Sequence, residues 1–247
     1  MRIDVALLPG QIYDLSGSVC VVVDVLRASS SIVTLLERGA ARVLPGASID
    51  EAQRLRERFP DHLLCGEEDG MPPHGFDHGN SPAEFAAMEL EGRGAVLATS
   101  NGTRVLASLG PAPVVLVGCF LNRSAVAAAA VALADEQGLD IAVLSSAAHG
   151  GTTFVLEDAL GAGAIVDAAL RLPDPPEALD AARFALYAFR ARAADLPSAV
   201  ASAHHARELV EADLGADVGY CSRLDVSGVV PRLEREEGLL VLRPFVP

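Results

Sequence analysis

Residues 21–33 read VVVDVLRASSSIV, and this stretch decides how the chain folds. Val21 to Val25 is an apolar, β-branched run broken only by Asp24, the pattern of a strand buried on both faces. Ser29 to Glu37 reads as a helix opened by hydroxyl residues that can cap its free N–H groups. An acid, Asp24, and a base, Arg27, stand at the joint. A buried ion pair would explain them, and so would a site for an anion and a metal.

The same unit recurs along the chain. AVLAT (95–99) leads through SNG into TRVLASLG, and VVLVG (114–118) through CFLNRS into AVAAAAVALADEQG. IAVLSS (141–146) leads through AAHGGTT into FVLEDALGAGAIVDAALRL. ARVLPGAS followed by IDEAQRLRERFP adds another pair, with Ser48 or Asp50 as N-cap. The helical patterns end at Gly or near Pro. This alternation predicts an α/β protein: three αβα layers around a mixed, largely parallel sheet. The chain reads as a single domain over 1–247 or as two lobes divided near residue 135. The tail adds a hairpin, with EREEG (234–238) as its turn and LLVLRPF as a strand. From Ala178 to Leu209 the pattern is helical and Arg-rich, a packing element or an interface, for example between copies in a homo-oligomer.

In open α/β sheets ligands bind beyond the carboxyl ends of the strands. Polar residues in these turns can therefore converge: Asp24, Arg27 and Ser29; Thr99, Ser100, Asn101, Thr103 and Arg104; Asn122 and Arg123; Ser145 and Ser146. Turns are polar in any case, so one such residue means little. Three arginines in equivalent turns of a chain with net charge −14 mean more.

That net charge argues against nucleic acid and anionic membranes as partners. A small anionic substrate senses only its local site. All 19 basic residues are Arg. The absence of Lys excludes a Schiff-base lysine and a Walker A lysine. The four cysteines are scattered, so neither a zinc site nor a disulfide framework is expected. The start of the chain is too short in apolar residues and too acidic for a signal peptide. No apolar run reaches the roughly 18 residues of a membrane span. The expectation is a cytoplasmic protein.

Residues 63–82, LLCGEEDGMPPHGFDHGNSP, read as a long loop carrying Glu67, Glu68, Asp69, Asp77 and two histidines. Long loops in compact domains are usually functional. A helix follows, with Ser81 at N-cap, Pro82 at N1 and Glu84 at N3.

His74 and His78 have the spacing of a helical zinc pair, but glycines and prolines around them prevent that helix. His204 and His205 read as surface histidines. Cys20 begins a strand and so is not a cysteine-phosphatase nucleophile. Asp24 lacks the second Asp of the haloacid-dehalogenase signature. GAGAIV (161–166) imitates a dinucleotide fingerprint but lies within a helical pattern, where close helix packing explains it. TSNGTR (99–104) is a better lead, because a strand ends, the chain turns at Asn101-Gly102 and a helix opens. That arrangement suits an anion, with Arg104 beside it. Asp24, Glu67, Glu157 and Asp158 offer oxygen ligands for a hard cation. Mg²⁺ needs only one or two carboxylates, with phosphate and water completing its shell. Phosphoryl transfer requires little beyond positioning and charge neutralisation.

Five ordered motifs carry a resemblance: VVVDVLRASSSIVTLLERGA, CGEEDGMPPHGFDHGNSP, ATSNGTRVL, VGCFLNRSAV and FVLEDALGAGAIV. Together they resemble the 2-phosphosulfolactate phosphatase (ComB-like) family from about Ile3 to the YCSRLDVSGVVP segment. The resemblance implies a Mg²⁺-dependent acid phosphatase that converts 2-phospho-3-sulfolactate to 3-sulfolactate and phosphate, a step in coenzyme M biosynthesis. Gly75, Asp77, Ser81 and Glu157 also match its motifs. The catalytic residues expected on this footing are Asp24, Glu67 and Asp158. Asp24 and Glu67 would hold Mg²⁺, or Asp24 would take the phosphoryl group. Arg27, Ser29, Asn80, Ser100, Asn101, Gly102, Thr103, Arg104, Asn122 and Arg123 would bind the small anionic, phosphorylated substrate. The alternatives are a phosphatase for another 2-phospho-hydroxy acid and a non-catalytic anion-binding protein on the same fold.

Overall fold

The computed structural model describes residues 1–11, 15–68 and 70–245. Asp69 of the long acidic loop lies outside them. The chain runs β1 (Arg2–Ala6), β2 (Ser18–Val23), α1 (Ala28–Glu37), β3 (Val43–Gly46), α2 (Ile49–Arg58) and β4 (Leu63–Gly66). It continues through α3 (Pro82–Phe85), β5 (Ala95–Ala98), α4 (Gly102–Ser108), β6 (Val114–Gly118), α5 (Arg123–Gln137), β7 (Asp140–Ser145) and α6 (Leu156–Ala169). Then come β8 (Glu177–Ala178), α7 (Asp180–Arg192), α8 (Leu196–Ala201), α9 (His204–Glu211), α10 (Gly215–Cys221), β9 (Pro231–Glu236) and β10 (Leu239–Pro244).

All ten strands join one sheet in the order β4-β5-β3-β10-β9-β6-β2-β7-β1-β8. The pairs β4–β5, β5–β3, β6–β2, β2–β7, β7–β1 and β1–β8 are parallel. The C-terminal hairpin is antiparallel and sits in the middle of the sheet, β10 against β3 and β9 against β6. The fold is therefore the mixed, largely parallel α/β sheet with helices on both faces that the repeated unit predicts.

Two details differ from the sequence reading. The expected long loop begins with a strand, because Leu63–Gly66 pair with β5 and all four are buried. In the hairpin, Glu234–Glu236 belong to β9, and the turn is Glu237-Gly238, where Gly238 takes a φ of +82°.

Alternation along β2 assigns the layers. Val19, Val21 and Val23 face a core shared with Val126 of α5, Ile165 of α6 and Phe189 of α7. Cys20 and Val22 face a second core with Ile32 and Leu35 of α1 and Leu106 of α4. That second core also takes Cys65 of β4, Leu97 of β5 and Leu242 of β10, strands far along the sheet. A third core, Leu44, Leu64, Val96 and Val241, packs on Ala52 and Leu55 of α2.

In a flat sheet the five steps from β5 to β2 would span about 24 Å. Yet a Cβ on Gly102, just after β5, would stand 2.6 Å from Oδ2 of Asp24, just after β2. The sheet must curl around α1 and α4, and the curl brings two distant strand ends to one place.

The GAGAIV stretch is a packing device. A Cβ on Gly163 would stand 2.6 Å from the Ala185 carbonyl carbon, so α6 and α7 meet backbone to backbone. No helix among the described residues is long and apolar enough to cross a membrane.

Candidate active site

The joint between β2 and α1 is locked by its own hydroxyl. The Asp24 N–H donates to Ser29 Oγ at 2.9 Å, and that hydroxyl donates to the Val22 carbonyl at 3.2 Å. The Ala28 N–H donates to Asp24 Oδ1 at 3.0 Å. Asp24 Oδ2 is left facing Gly102, where only glycine leaves it room. Ser29 thus shapes the loop from within, 1% exposed.

Asp24 belongs to a crowd of acids at the N-terminus of α6. Asp158 accepts from the Val25 N–H at 2.8 Å and from Ser145 Oγ at 3.1 Å, tying the Asp24 loop to β7 and α6. Beside it, Glu157 is 1% exposed. Its Oε1 lies 3.3 Å from His205 Nδ1, and its Oε2 is buried without a hydrogen-bond partner. Burial pushes the Asp24 carboxyl up to about 6, against the Ala28 hydrogen bond and the charge of His205, while Glu67 and Glu157 push further upward. Burial, then the charges of Asp24 and Glu157, hold Asp158 well above the ordinary carboxylate range. Buried carboxyls crowded together in this way are a common feature of functional sites.

The other half of the site comes from the ends of β4 and β5. Glu67 Oε1 accepts from the Ser100 N–H at 2.7 Å, and Oε2 from the Ser100 hydroxyl at 3.2 Å and the Gly70 N–H at 2.9 Å. Asn101 Oδ1 accepts from the Gly150 N–H at 3.1 Å, joining this turn to the loop after β7. Thr99 and Thr103 close the turn on themselves, the Thr99 N–H donating to Thr103 Oγ1 at 3.0 Å. Arg104 is exposed and makes no ion pair among the described residues.

Arg27 answers the ion-pair question in an unexpected way, because its partner is Asp217 of α10. The pair is 2.9 Å apart, with side chains 3% and 1% exposed. A second guanidinium nitrogen donates to the Gly70 carbonyl at 3.1 Å. Asp217 also accepts from Ser81 Oγ at 2.7 Å and from the Ala83 N–H at 3.1 Å. One buried carboxylate thus fixes the Arg27 loop, the start of α3 and, through Gly70, the turn that carries Glu67.

The sequence profile described as 2-phosphosulpholactate phosphatase matches residues 6–236. A probable 2-phosphosulfolactate phosphatase of Deinococcus radiodurans is 38% identical over 94% of this chain and 93% of its own. One from Carboxydothermus hydrogenoformans is 32% identical over 98% and 97%, and one from Clostridium acetobutylicum 31% over 96% and 99%. The chain belongs to the 2-phosphosulpholactate phosphatase family.

In this family member the curled sheet gathers Asp24, Glu67, Gly102, Glu157 and Asp158, and it sets other expected site residues apart. Asn122 is 0% exposed. It accepts from the Cys119 N–H and donates to the carbonyls of Val117 and Val229, so all its hydrogen bonding is internal. Arg123 pairs with Asp225 at 2.9 Å, reaches Asp167 at 4.0 Å and lies over the Phe189 ring. Asp167 is nine residues beyond Asp158 on α6, about 13 Å along the axis. Asn80 is 2% exposed, with Oδ1 buried and unpartnered, next to the Ser81–Asp217 contact.

Two residues of this phosphatase-family site escape the sequence reading. His205, expected at the surface, is 33% exposed in its side chain and meets Glu157. Its spacing of four from buried Leu209 puts it on the inner stripe of α9, a legible signal. Asp217 stands within an apolar helical stretch, and nothing in its spacing names Arg27 as its partner.

Proposed function

We propose that the protein hydrolyses 2-phospho-3-sulfolactate to 3-sulfolactate and phosphate with Mg²⁺ as cofactor. The observation that supports this most directly is the cluster of buried acids Asp24, Glu157 and Asp158, with Gly102 against the Asp24 carboxylate. The printed names of the relatives supply the substrate.

The residues present fit a hard divalent cation. Asp24 Oδ2 faces Gly102 and has no hydrogen-bond partner among the described residues, and Glu67 Oε1 accepts a single hydrogen bond among them. Among the described residues no three His, Cys, Asp or Glu side chains could hold a metal alone. Mg²⁺ takes one or two carboxylates and completes its shell with substrate and water. Asp24 and Glu67 would hold it. When bound, it supplies charge neutralisation for the phosphoryl oxygens.

The chain itself does the rest. Asp158, held by Val25 and Ser145, fixes the Asp24 loop. Ser100 and Gly70 orient Glu67. Arg104 carries the unpaired positive charge on the β5 side and attracts the substrate's anionic groups. Arg27, its guanidinium already engaged by Asp217 and Gly70, braces these loops. Phosphate release from phosphosulfolactate, phospholactate and phosphoglycolate, with and without Mg²⁺, tests the reading. Equal turnover of all three would overturn the substrate, and turnover indifferent to chelation would overturn the cofactor.

A second reading makes Asp24 the nucleophile. It is favoured by the orientation of the carboxyl, with Oδ1 held by Ala28 and Oδ2 without a hydrogen-bond partner among the described residues. Rapid quench followed by intact-mass measurement decides it: a phosphorylated Asp24 peptide supports it, and its absence during steady turnover removes it.

A further inference from the structure

His205 stands in the first turn of α9, beside the acid cluster. Its Nδ1 is 3.3 Å from Glu157 Oε1, and its Nε2 has no partner among the described residues. Three acids act on its charge: Glu157 from α6, Asp24 from the β2–α1 joint and Glu208 from its own helix. Glu157 has no other hydrogen-bond partner among the described residues, its second oxygen being buried and unpaired. A carboxylate that accepts from Nδ1 fixes the ring and leaves Nε2–H as the outward donor.

The chemistry needs such a donor. A 2-phospho-hydroxy acid must expel a secondary alkoxide, a poor leaving group unless a proton reaches it as the bond breaks. We propose that His205, oriented by Glu157, is the general acid that protonates the leaving oxygen. This rests on the phosphatase reading. The ester P–O bond breaks with its electron pair going to the alcohol oxygen, which takes the Nε2 proton. The oxygen of water forms the new P–O bond and releases one proton, and the imidazole regains one from solvent. Water and phosphomonoester are thus converted to alcohol and phosphate, with the site's charge restored.

The experiment compares two esters on wild type, His205→Asn and Glu157→Gln. One is an alkyl 2-phospho-hydroxy acid. The other is p-nitrophenyl phosphate, whose leaving group departs as a stable anion. His205→Asn should lower kcat/KM on the alkyl ester about 100-fold or more and on the aryl ester less than about 5-fold. Glu157→Gln should show the same selectivity with a smaller loss. A purely structural histidine would lower both esters alike, and equal losses, or none, overturn the proposal. Should the variants fail to fold, wild type decides with a series of esters. A kcat/KM nearly independent of leaving-group basicity supports the general acid, and a steep fall with basicity overturns it. If wild type cleaves no phosphomonoester, the phosphatase reading itself fails and takes this proposal with it.

Discussion

Arg27 with Asp217, and Asp24 with Glu157 and Asp158, are two buried charged clusters that share the β2–α1 joint, and they follow opposite rules. In the first, a guanidinium and a carboxylate neutralise each other, and Ser81, Ala83 and Gly70 take up further hydrogen-bonding capacity. In the second, three carboxyls are 7%, 1% and 2% exposed with one half-covered imidazole beside them. A buried charge that is matched on the spot holds structure together. Buried carboxyls packed beside one another are held in place by the rest of the fold, an arrangement typical of functional sites.

The contrast can be broken most sharply at Asp24. Asp24→Asn keeps the Ala28 contact and should lower phosphate release about 1000-fold, roughly 4 kcal/mol of barrier, with an unchanged circular-dichroism spectrum. Turnover near the wild-type rate would put Asp24 in the structural class. At the matched cluster the effect should fall on stability instead. Asp217→Ala strands a buried guanidinium and should cost about 3–5 kcal/mol in denaturant midpoint analysis, and pairing it with Arg27→Met should recover much of that. A double variant no more stable than Asp217→Ala alone would mean that the pair is not the unit.

Asp24→Asn should also stabilise the metal-free protein. Burial raises the Asp24 carboxyl to about 6 from its ordinary 3.8. Its favourable contribution is present in full below the unfolded value and is lost as pH rises through 6. At pH 7.5 the Asn variant should therefore unfold about 3 kcal/mol later than wild type, and near pH 4 the two should coincide. Thermal melts in chelator at both pH values test this, and a gap that widens on acidification would contradict it. The smallest effects concern the outer arginines. Arg104→Gln should raise KM about 10-fold, near 1.4 kcal/mol, with kcat little changed. Arg123→Gln, whose charge is already paired with Asp225 and Asp167, should change stability by no more than about 1 kcal/mol and KM hardly at all.

The sequence shows the repeated unit and the polar turns because both are local. Asp24, Ser100 and Asn101 sit where a strand must end and a helix must begin, and their types suit that place. Ser81 caps α3 and Ser48 caps α2 as the local pattern indicates, with hydrogen bonds from Glu84 and Glu51. Pairings set by distant parts of the chain are not written in any window. Nothing near Arg27 announces Asp217, 190 residues away, as its partner. Nothing near Asn122 reveals that the Val229 carbonyl will take its amide. His205 was legible by its helical stripe, but its meaning depends on Glu157, which belongs to another helix.

The hairpin in mid-sheet has a consequence for how the protein comes into being. Its register links to the neighbouring strands are single pairs, Leu242 with Val43 and Leu116 with Arg232. Those late strands join the half-sheet that presents Glu67 and Ser100 to the half-sheet that presents Asp24. Within the sheet the two halves meet only through β9 and β10, which follow every other strand in the chain. Cleavage before Pro231 would leave every proposed catalytic side chain in the polypeptide and still leave no assembled catalyst.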